Sequence, residues 1–284
     1  MNATLNLCIT HTTRYEFEGP VFFEPHCFRF RPAPRSHVNL VKYHLDINPE
    51  PAGVSEIQDP ENNSVQFCWF DGTYEALDLK SVSVIKISAF NPFHFLIYPS
   101  ECISSPFNYD PKLMQTLEPY LEKISIDDSL SAMGNRVLEK SGNDTFAFLK
   151  NLNEYVFEKF TVHYREKGAP LSPSDSFKSK EGSCRDLSWM LIQLLRNMGY
   201  ACRFTSGYFY LEQDKNEFDL HAWFEVYVPG AGWVGFDPSH GLLAGTHHIP
   251  ICSSALPENT LPVIGNIRGK FQSTIQSSVT IDIQ

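Results

Sequence analysis

The sequence has no excess of basic residues and no long apolar run. Its 284 residues include 23 Lys and Arg against 33 Asp and Glu, which gives a formal net charge of −10. Because nucleic-acid binding needs a basic surface, this balance argues against a nucleic-acid partner. No apolar stretch approaches the roughly 20 residues that a membrane-spanning helix needs, so no membrane association is expected.

Signals for export and for disulfide bonds are also missing. Residues 1–8 contain neither the basic cluster nor the apolar segment that open a secretory signal peptide. The seven cysteines are odd in number and follow no recurrent spacing, so they predict no disulfide framework. We therefore expect a cytoplasmic protein with reduced thiols, in which six of the cysteines fill space as small apolar side chains.

Several motifs that would indicate other chemistry are absent. The chain has no G-x-S-x-G nucleophile elbow, no EF-hand-like acidic loop and no repeat at a solenoid period. His240, His247 and His248 lie close together, but their spacing matches no zinc motif. No carboxylate or cysteine pair near them is expected to complete a ligand set. The sequence therefore predicts neither a metal site nor a cofactor.

The first 100 residues carry the pattern of a β-rich domain. Short segments of alternating apolar and polar residues are separated by clusters of Pro, Gly, Asn and Asp. Several short strands at this spacing predict an all-β, sandwich-like N-terminal domain over residues 1–100. The expected strands cover residues 5–17, 27–31, 40–47, 64–69 and 77–87.

After residue 100 the pattern becomes mixed, which predicts a second domain over residues 101–284. A stretch rich in Pro and Ser near 98–108 is the expected linker between the two domains. Residues 212–218 are expected to form a polar hairpin loop, and residues 167–180 and 242–270 to be irregular. A final strand over 277–283 is expected to pack back on a sheet. Apolar periodicity predicts helices over residues 110–121, 130–139, 145–160 and 184–198.

Residues 182–191, Gly-Ser-Cys-Arg-Asp-Leu-Ser-Trp-Met-Leu, begin a strongly periodic segment. Apolar residues follow Cys184 at three- and four-residue spacing up to Met198, which predicts an amphipathic helix. Gly182 and Ser183 are typical of a turn and a helix N-cap, so Cys184 should lie in the first helical turn. The positive end of the helix dipole stabilises a thiolate there, which makes Cys184 a candidate nucleophile.

A histidine and an aspartate lie at the same end of a predicted β-hairpin. Residues 219–228 are rich in aromatic and β-branched residues, and Pro-Gly-Ala-Gly at 229–232 predicts a turn. A returning strand follows and stops at Asp237, before a proline. His221 opens the first strand and Asp237 closes the second, so both lie at the open end of the hairpin.

The register of this hairpin decides whether the two side chains can meet, because successive residues of a strand point to opposite faces. If Val228 pairs with Trp233, Asp237 lies on the wrong face for His221. If Val228 pairs with Gly232 across a three-residue loop, the two residues are diagonal neighbours on one face. A functional His–Asp pair therefore predicts an odd-length loop or a bulge.

These segments resemble the core of the transglutaminase-like superfamily, and more narrowly the bacterial transglutaminase-like proteins grouped as cysteine proteases. The order Cys184, His221, Asp237 matches that family. His-Thr-Thr-Arg-Tyr at 11–15 and Phe-Arg-Phe-Arg-Pro at 28–32 are similar to its N-terminal β region. The resemblance implies an α+β fold, in which the sandwich-like domain precedes a papain-like catalytic domain. The nucleophilic cysteine would then lie at a helix N-terminus packed on an antiparallel sheet.

These residue types suit acyl transfer through a thioester. The Cys184 thiolate would attack an amide carbonyl, and His221 would form an ion pair with it and protonate the leaving amine. Asp237 would hold the imidazole in the required tautomer. The backbone N–H of Cys184 is the expected oxyanion donor, and Tyr164 is our candidate for the second donor.

Three more residues near this constellation allow two interpretations each. Arg185 and Asp186 either support the site from behind the reacting groups or form a salt-bridged surface, and both alternatives stay open. Trp223, like Trp233, is expected to pack the hairpin, with substrate binding as the alternative.

Three functions remain open at this level. The first is a cysteine peptidase or amidase acting on a peptide or protein amide. The second is a protein-glutamine transglutaminase with an amine acceptor, and the third is a catalytically silent scaffold that binds peptides. The animal cross-linking enzymes of the superfamily depend on calcium, so the lack of an EF-hand-like loop mildly favours hydrolysis. The oligomeric state is left open.

Overall fold

The protein is described here by a computed structural model that covers residues 4–165, 168–211 and 218–284. The loop expected over 212–218 lies outside the described residues except for Phe218. The strands in chain order are β1 (Leu5–Phe23), β2 (His26–Phe28), β3 (Val38–Asn48), β4 (Gly53–Gln58), β5 (Ser64–Trp69), β6 (Tyr74–Ile87), β7 (Thr161–Val162), β8 (Glu181–Gly182), β9 (Cys202–Phe209), β10 (Leu220–Val228), β11 (Gly232–Asp237), β12 (Leu242–Leu243), β13 (His248–Ser254), β14 (Val263–Ile264), β15 (Ile267–Arg268) and β16 (Ser273–Ile283). The α-helices are α1 (Pro111–Leu121), α2 (Asp128–Lys140), α3 (Thr145–Lys159), α4 (Pro173–Ser179) and α5 (Cys184–Asn197), with 3-10 turns at Ser100–Ile103 and Pro257–Thr260.

Two antiparallel sheets form the N-terminal part. One has the order β15-β1-β6-β3 with β16 also paired to β1, and the other has the order β14-β2-β5-β4. Apolar side chains from both sheets share one core, as expected when two amphipathic sheets bury their inner faces. The expected all-β, sandwich-like domain is confirmed. Its buried core consists of Val21, Phe23, Phe28, Phe30, Leu45, Cys68, Phe70, Leu77 and Leu79.

The sandwich takes strands from both ends of the chain. Strand β16 pairs along β1 from Leu7 opposite Ile283 to Phe17 opposite Ser273. The short strands β14 and β15 pair with β2 and with the end of β1. The final strand therefore packs back on a sheet and is longer than the expected 277–283. The two ends of the chain fold together. The part that the sequence predicts to be catalytic, called the catalytic part below, lies between them in sequence.

The catalytic part is a mixed α/β unit around a second antiparallel sheet of order β12-β11-β10-β9-β13. Helix α5 packs against β10 and β9, and its apolar stripe is buried at Leu187, Met190, Leu191, Leu194 and Leu195, each 0% exposed. Full burial of such a side chain contributes roughly 1.5–3 kcal/mol, so this stripe fixes the helix on the sheet. The expected α+β fold, with the cysteine at a helix N-terminus on an antiparallel sheet, is confirmed.

The seven cysteines are all free, and Cys68, Cys102, Cys202 and Cys252 are buried. Among the helices of the described ranges, none is long and apolar enough to cross a membrane.

A short helix replaces part of the loop expected over 167–180. Helix α4 begins at Pro173, and the Ser172 hydroxyl accepts a hydrogen bond from the Asp175 backbone N–H at 3.1 Å. Ser followed by Pro, with Asp at the third helical position, is a helix-start signal that the abundance of Ser, Pro and Lys in this stretch conceals. The prediction of a loop was wrong for residues 173–179, because the cap at Ser172 outweighs the loop-like composition of the stretch.

A buried strand likewise replaces part of the loop expected over 242–270. All seven residues of β13 are buried, and β13 pairs with β9. Pro250 had indicated a loop, because proline cannot donate a hydrogen bond within a sheet. The register shifts between Pro250 and Cys252, and this bulge accommodates the proline inside the strand.

Strand β13 is the edge of the catalytic sheet, and the N-terminal part covers it. The Asn63 side chain donates to the Ser253 carbonyl oxygen and accepts from the Ser253 backbone N–H, both at 2.9 Å. The Ala33 backbone N–H donates to the Pro250 carbonyl oxygen at 2.7 Å. Backbone groups of an edge strand are thereby satisfied without exposure to water. The two parts also share an apolar core of Leu7, Ile9, Val38, Ile85, Ile87, Tyr208, Tyr210, Ile249, Ile251, Cys252, Val279 and Ile281.

Replacing Asn63 by alanine should lower the free energy of unfolding by about 2–4 kcal/mol, because two buried backbone groups of Ser253 lose their partners. Asn63 itself is 6% exposed. The measurement is urea denaturation followed by tryptophan fluorescence. Asn39→Ala, at an exposed position of β3, is the control and should change the free energy by less than about 0.5 kcal/mol. Equal stability of the two variants would show that this contact contributes nothing to the fold.

Candidate active site

Helix α5 begins at Cys184 because Asp186, a residue of its first turn, binds the N-cap residue Ser183. The Asp186 carboxylate accepts hydrogen bonds from the Ser183 backbone N–H at 2.8 Å and from the Ser183 hydroxyl at 2.7 Å. Cys184 is half-buried at the first helical position. The thiol therefore lies where free N–H groups and the helix dipole favour negative charge, as the sequence predicts.

Asp186 also fixes the loop that precedes the helix. Its carboxylate accepts from the Leu171 backbone N–H at 2.7 Å and forms an ion pair with Arg165 at 2.5 Å, although the aspartate is 0% exposed. Burial by itself raises the pKa of Asp186, but the hydrogen bonds from Ser183, Leu171 and Arg165 lower it below its usual value. Asp186 is thus a buried support for the start of α5 and not part of an exposed salt-bridged surface.

Arg185 holds the same loop from the outer side of the helix. Its guanidinium donates to the Gly168 carbonyl oxygen at 3.0 Å and to the Arg165 carbonyl oxygen. Together with Asp186, it fixes Arg165, Gly168 and Leu171 to the start of α5.

The β10–β11 hairpin has the register that the functional hypothesis requires. Val228 pairs with Gly232 across a three-residue loop, so the predicted odd-length loop is confirmed. Continued beyond Phe224 opposite Phe236, this register sets Asp237 level with Trp223. The His221 Nε2 atom donates to the Asp237 carboxylate at 2.8 Å.

The third member of the constellation lies beside the imidazole. Strand β10 packs on α5, and the Ser188 hydroxyl donates to the Ala222 carbonyl oxygen at 3.4 Å. The Cys184 side chain lies close enough to the His221 ring to raise its pKa, while the Nε2 atom of that ring is bonded to Asp237. Burial by itself lowers the pKa of His221, but the Asp237 charge and hydrogen bond, helped by Cys184, raise it to about 10. The structure thus brings Cys184, His221 and Asp237 together.

Two further histidines reach the same carboxylate. His240 Nδ1 lies 2.8 Å and His248 Nε2 lies 3.1 Å from Asp237 Oδ2. The expectation that no carboxylate lies near these histidines was wrong. Asp237 precedes His240 by three residues, a spacing that the sequence displays, but His248 reaches it only through the pairing of β13 with β9. Burial by itself raises the pKa of Asp237, but His221 and the histidine hydrogen bonds hold it well below its usual range.

This cluster is also the place where a metal ion could be held. One potential ligand atom from each of His221, Asp237 and His240 lies within 4.8 Å of the others, and nitrogen and oxygen donors suit zinc. The N···O distances of 2.8 Å from His221 and His240 to Asp237 lie in the hydrogen-bond range, and in this arrangement both imidazoles donate to the carboxylate.

Trp223 packs behind the histidines and is 1% exposed. Its ring faces that of His221 at 6.1 Å and that of His248 at 5.1 Å. Gly207 permits this packing, because a Cβ atom there would lie 2.8 Å from the Trp223 ring and 2.2 Å from the Ile249 carbonyl oxygen. Trp223 therefore supports the site from its buried side and does not face a substrate.

Tyr164 follows β7 as Cys184 follows β8. Strands β7 and β8 are parallel, with Val162 opposite Gly182, and the His163 backbone N–H donates to the Gly182 carbonyl oxygen at 3.1 Å. Val162 and Gly182 are the last residues of these strands, and Tyr164 and Cys184 each lie two residues beyond them. Tyr164 is 70% exposed. Its role as an oxyanion donor stays a prediction.

The chain is of a thiol-dependent enzyme kind, as its family shows. Residues 131–238, which include the three residues of the constellation, match the sequence model of the Transglutaminase-like superfamily. Residues 7–86 match the model of the Bacterial transglutaminase-like N-terminal region. The chain therefore belongs to the transglutaminase-like superfamily, and the family expected from its sequence is confirmed.

Similar proteins occur in bacteria. An uncharacterized protein of Mycobacterium tuberculosis is 22% identical over 305 aligned residues, which cover 100% of this chain and 94% of the relative. The uncharacterized protein YebA of Bacillus subtilis is 36% identical over 121 residues, which cover 37% of this chain and 16% of YebA. The crystal structure of a "Putative Cysteine Protease" from Cytophaga hutchinsonii superposes with a TM-score of 0.72 at 16% identity, covering 99% of this chain and 91% of that one. This similarity shows a shared fold.

The pKa of His221 gives a pH-dependent stability with a defined sign. The pKa is raised from 6.5 to about 10 in the fold. The contribution of the protonated imidazole should therefore be fully present below about pH 6.5 and disappear as the pH rises through about 10. We expect the difference in free energy of unfolding between wild type and His221→Gln to shrink from pH 6 to pH 10.5, measured by urea denaturation.

The control is His44→Gln, which removes an exposed histidine whose Nε2 atom lies 2.8 Å from Asp46. Its effect on stability should be small throughout this range, because an exposed ion pair is screened by solvent. A His221→Gln difference that stays constant from pH 6 to pH 10.5 would contradict a raised pKa for His221.

Proposed function

We propose that the protein is a cysteine peptidase or amidase that cleaves an amide bond of a peptide or protein through a thioester. The observation that carries this proposal is the relay from Cys184 to His221 and from His221 Nε2 to Asp237 at 2.8 Å. Membership of the superfamily supports a thiol-dependent enzyme. The amide substrate, water as the acceptor and a reduced cytoplasmic setting belong to the proposal.

In the acylation step, the Cys184 thiolate donates its electron pair to the amide carbonyl carbon, and the carbonyl π electrons move to oxygen. The backbone N–H of Cys184 at the start of α5 stabilises the oxyanion, with the Tyr164 hydroxyl as the proposed second donor. The tetrahedral intermediate collapses as its C–N bond breaks. The imidazolium of His221 gives its proton to the leaving nitrogen, so an amine departs and a thioester remains on sulfur.

In the deacylation step, neutral His221 removes a proton from a water molecule, whose oxygen attacks the thioester carbonyl. The new intermediate collapses with cleavage of the C–S bond, which releases a carboxylic acid and restores the thiolate and the imidazolium. Asp237 stays ionised in both steps and stabilises the imidazolium each time it forms. An amine in place of water would give a new amide, so the same residues support transamidation as the alternative.

The buried charges argue for turnover over a silent scaffold. Asp237 is 0% exposed and receives hydrogen bonds from its neighbours on both carboxylate oxygens. Burial of a carboxylate is costly unless it is paired and hydrogen-bonded. A peptide-binding scaffold has no need of an ionised carboxylate behind a histidine that faces a cysteine, whereas an acyl-transfer enzyme does.

The first test is a panel of fluorogenic peptide amides, assayed with and without an added primary amine. Cys184→Ala should abolish turnover, and Asp237→Asn should reduce kcat by roughly 10²–10⁴-fold, because the imidazole loses its tautomer and its charge partner. Cys8→Ala, at another half-buried free cysteine, is the control and should retain activity. Amine-dependent products without hydrolysis would replace the peptidase proposal by the transglutaminase alternative.

A second test needs no substrate. Iodoacetamide should alkylate Cys184 at pH 6 faster than the other six cysteines, because the imidazolium and the helix start hold it as a thiolate. His221→Ala should slow this reaction at Cys184 alone, and peptide mass spectrometry reads each site separately. Equal rates at Cys184 in the two proteins would mean that no thiolate–imidazolium pair exists in the free protein.

A further inference from the structure

Three histidines from three parts of the chain converge on one carboxylate oxygen. His221 comes from β10, His240 from the turn after β11, and His248 from the first position of β13. Their nitrogen atoms lie 2.8, 2.8 and 3.1 Å from Asp237 Oδ2. The proposed thioester chemistry uses the first of these bonds. The other two hydrogen bonds need a separate explanation.

The tautomer of His248 is set by the backbone. Its Nδ1 atom accepts a hydrogen bond from the Gly245 backbone N–H at 3.3 Å, so in the neutral ring the proton resides on Nε2. Nε2 therefore donates to Asp237 at 3.1 Å. The His248 ring is 3% exposed, and burial lowers its pKa. Neutral His248 on β13 thus donates a hydrogen bond of fixed direction to the Asp237 carboxylate.

His240 is held by an aromatic ring and remains partly open to solvent. Its imidazole stacks on Phe209 with ring centroids 4.0 Å apart and planes inclined by 30°. The same phenyl ring lies 5.4 Å from His221 and 4.8 Å from His248, so it packs against all three histidines. The His240 side chain is 35% exposed. Its substitution should therefore disturb the core little.

The carboxylate is consequently fixed at both oxygen atoms. Oδ1 accepts from the Ser239 backbone N–H at 2.9 Å, and Oδ2 accepts from the histidines. Rotation about the Cβ–Cγ bond of Asp237 would break these bonds together. A group held in this way presents its charge to His221 with no reorganisation during the reaction, which is the condition for strong electrostatic assistance.

We infer that His240 and His248 are positioning residues that lock the Asp237 carboxylate for His221, with Phe209 as the packing surface that orients the imidazoles. This inference rests on the proposed function, because it assigns the two histidines to the same relay. They act through Asp237, to which both are hydrogen-bonded. His240 is the residue to test, because it is the more exposed of the two.

The experiment compares His240→Ala with His240→Asn. The asparagine amide nitrogen lies at nearly the same distance from the backbone as the imidazole Nδ1 atom, so it can still donate to Asp237. We expect His240→Ala to lower kcat about ten-fold with KM changed less than about two-fold, since a hydrogen bond to a charged group is lost. His240→Asn should recover most of kcat. Cys184 alkylation at pH 6 should slow in His240→Ala and recover in His240→Asn.

His247→Ala is the matched control. His247 neighbours His248 in sequence, but its Nδ1 atom donates to the Tyr210 carbonyl oxygen at 2.8 Å and not to Asp237. Its replacement should leave kcat and alkylation unchanged. Thermal unfolding of every variant establishes that the fold is retained. If His240→Ala does not fold, kcat and the rate of Cys184 alkylation are compared between wild type, Phe209→Leu and His240→Asn instead.

Unchanged kcat and unchanged alkylation in a folded His240→Ala protein would overturn the inference. The inference also fails if His240→Asn is as impaired as His240→Ala, since the donor would then be irrelevant. Failure of the proposed function looks different. If the proposed function is wrong, wild type and Cys184→Ala are both inactive on every amide. Alkylation of Cys184 would nevertheless still be slower in His240→Ala than in wild type.

Discussion

The length of the loop between β10 and β11 is the constraint on which the catalytic geometry depends. Val228 pairs with Gly232, and the turn uses Gly230 and Gly232 at φ of +85° and +77°, a region that glycine enters without steric cost. One residue more or fewer would turn every later side chain to the other face of the sheet. Asp237 would then point away from His221. The strands would still form, but the hydrogen bond between the two side chains would be lost.

The second requirement is a helix that begins at one defined residue. The apolar stripe of α5 fixes the helix on the sheet, but packing alone does not decide which residue occupies the first turn. Asp186 decides it, because its buried carboxylate binds both the Ser183 backbone N–H and the loop before the helix. Two buried aspartates, Asp186 and Asp237, thus hold Cys184 and His221 in place. Each tolerates burial because donors surround it.

Much of this could be read from the sequence because it is encoded locally. The periodic stripe after Cys184 predicts the helix, and its cap predicts the position of the thiol. The face of Asp237 depends on the parity of the loop, for which the sequence allows two registers and of which the functional hypothesis predicts the odd one. Long-range contacts are different in kind. His248 lies 11 residues beyond Asp237 on a strand that Pro250 disguises as a loop, and it reaches the carboxylate only through the pairing of β13 with β9. No short-range pattern reports such a contact.

Strand β13 links the N-terminal sandwich to the chemistry. It is the edge of the catalytic sheet and carries His248 at its first position, while Asn63 and Ala33 of the N-terminal part satisfy its outer backbone groups. Its apolar side chains Ile249 and Ile251 lie in the core shared by the two parts. An uncovered edge would expose both this apolar surface and unpaired backbone groups. The sandwich therefore stabilises the strand from which His248 donates to the Asp237 carboxylate.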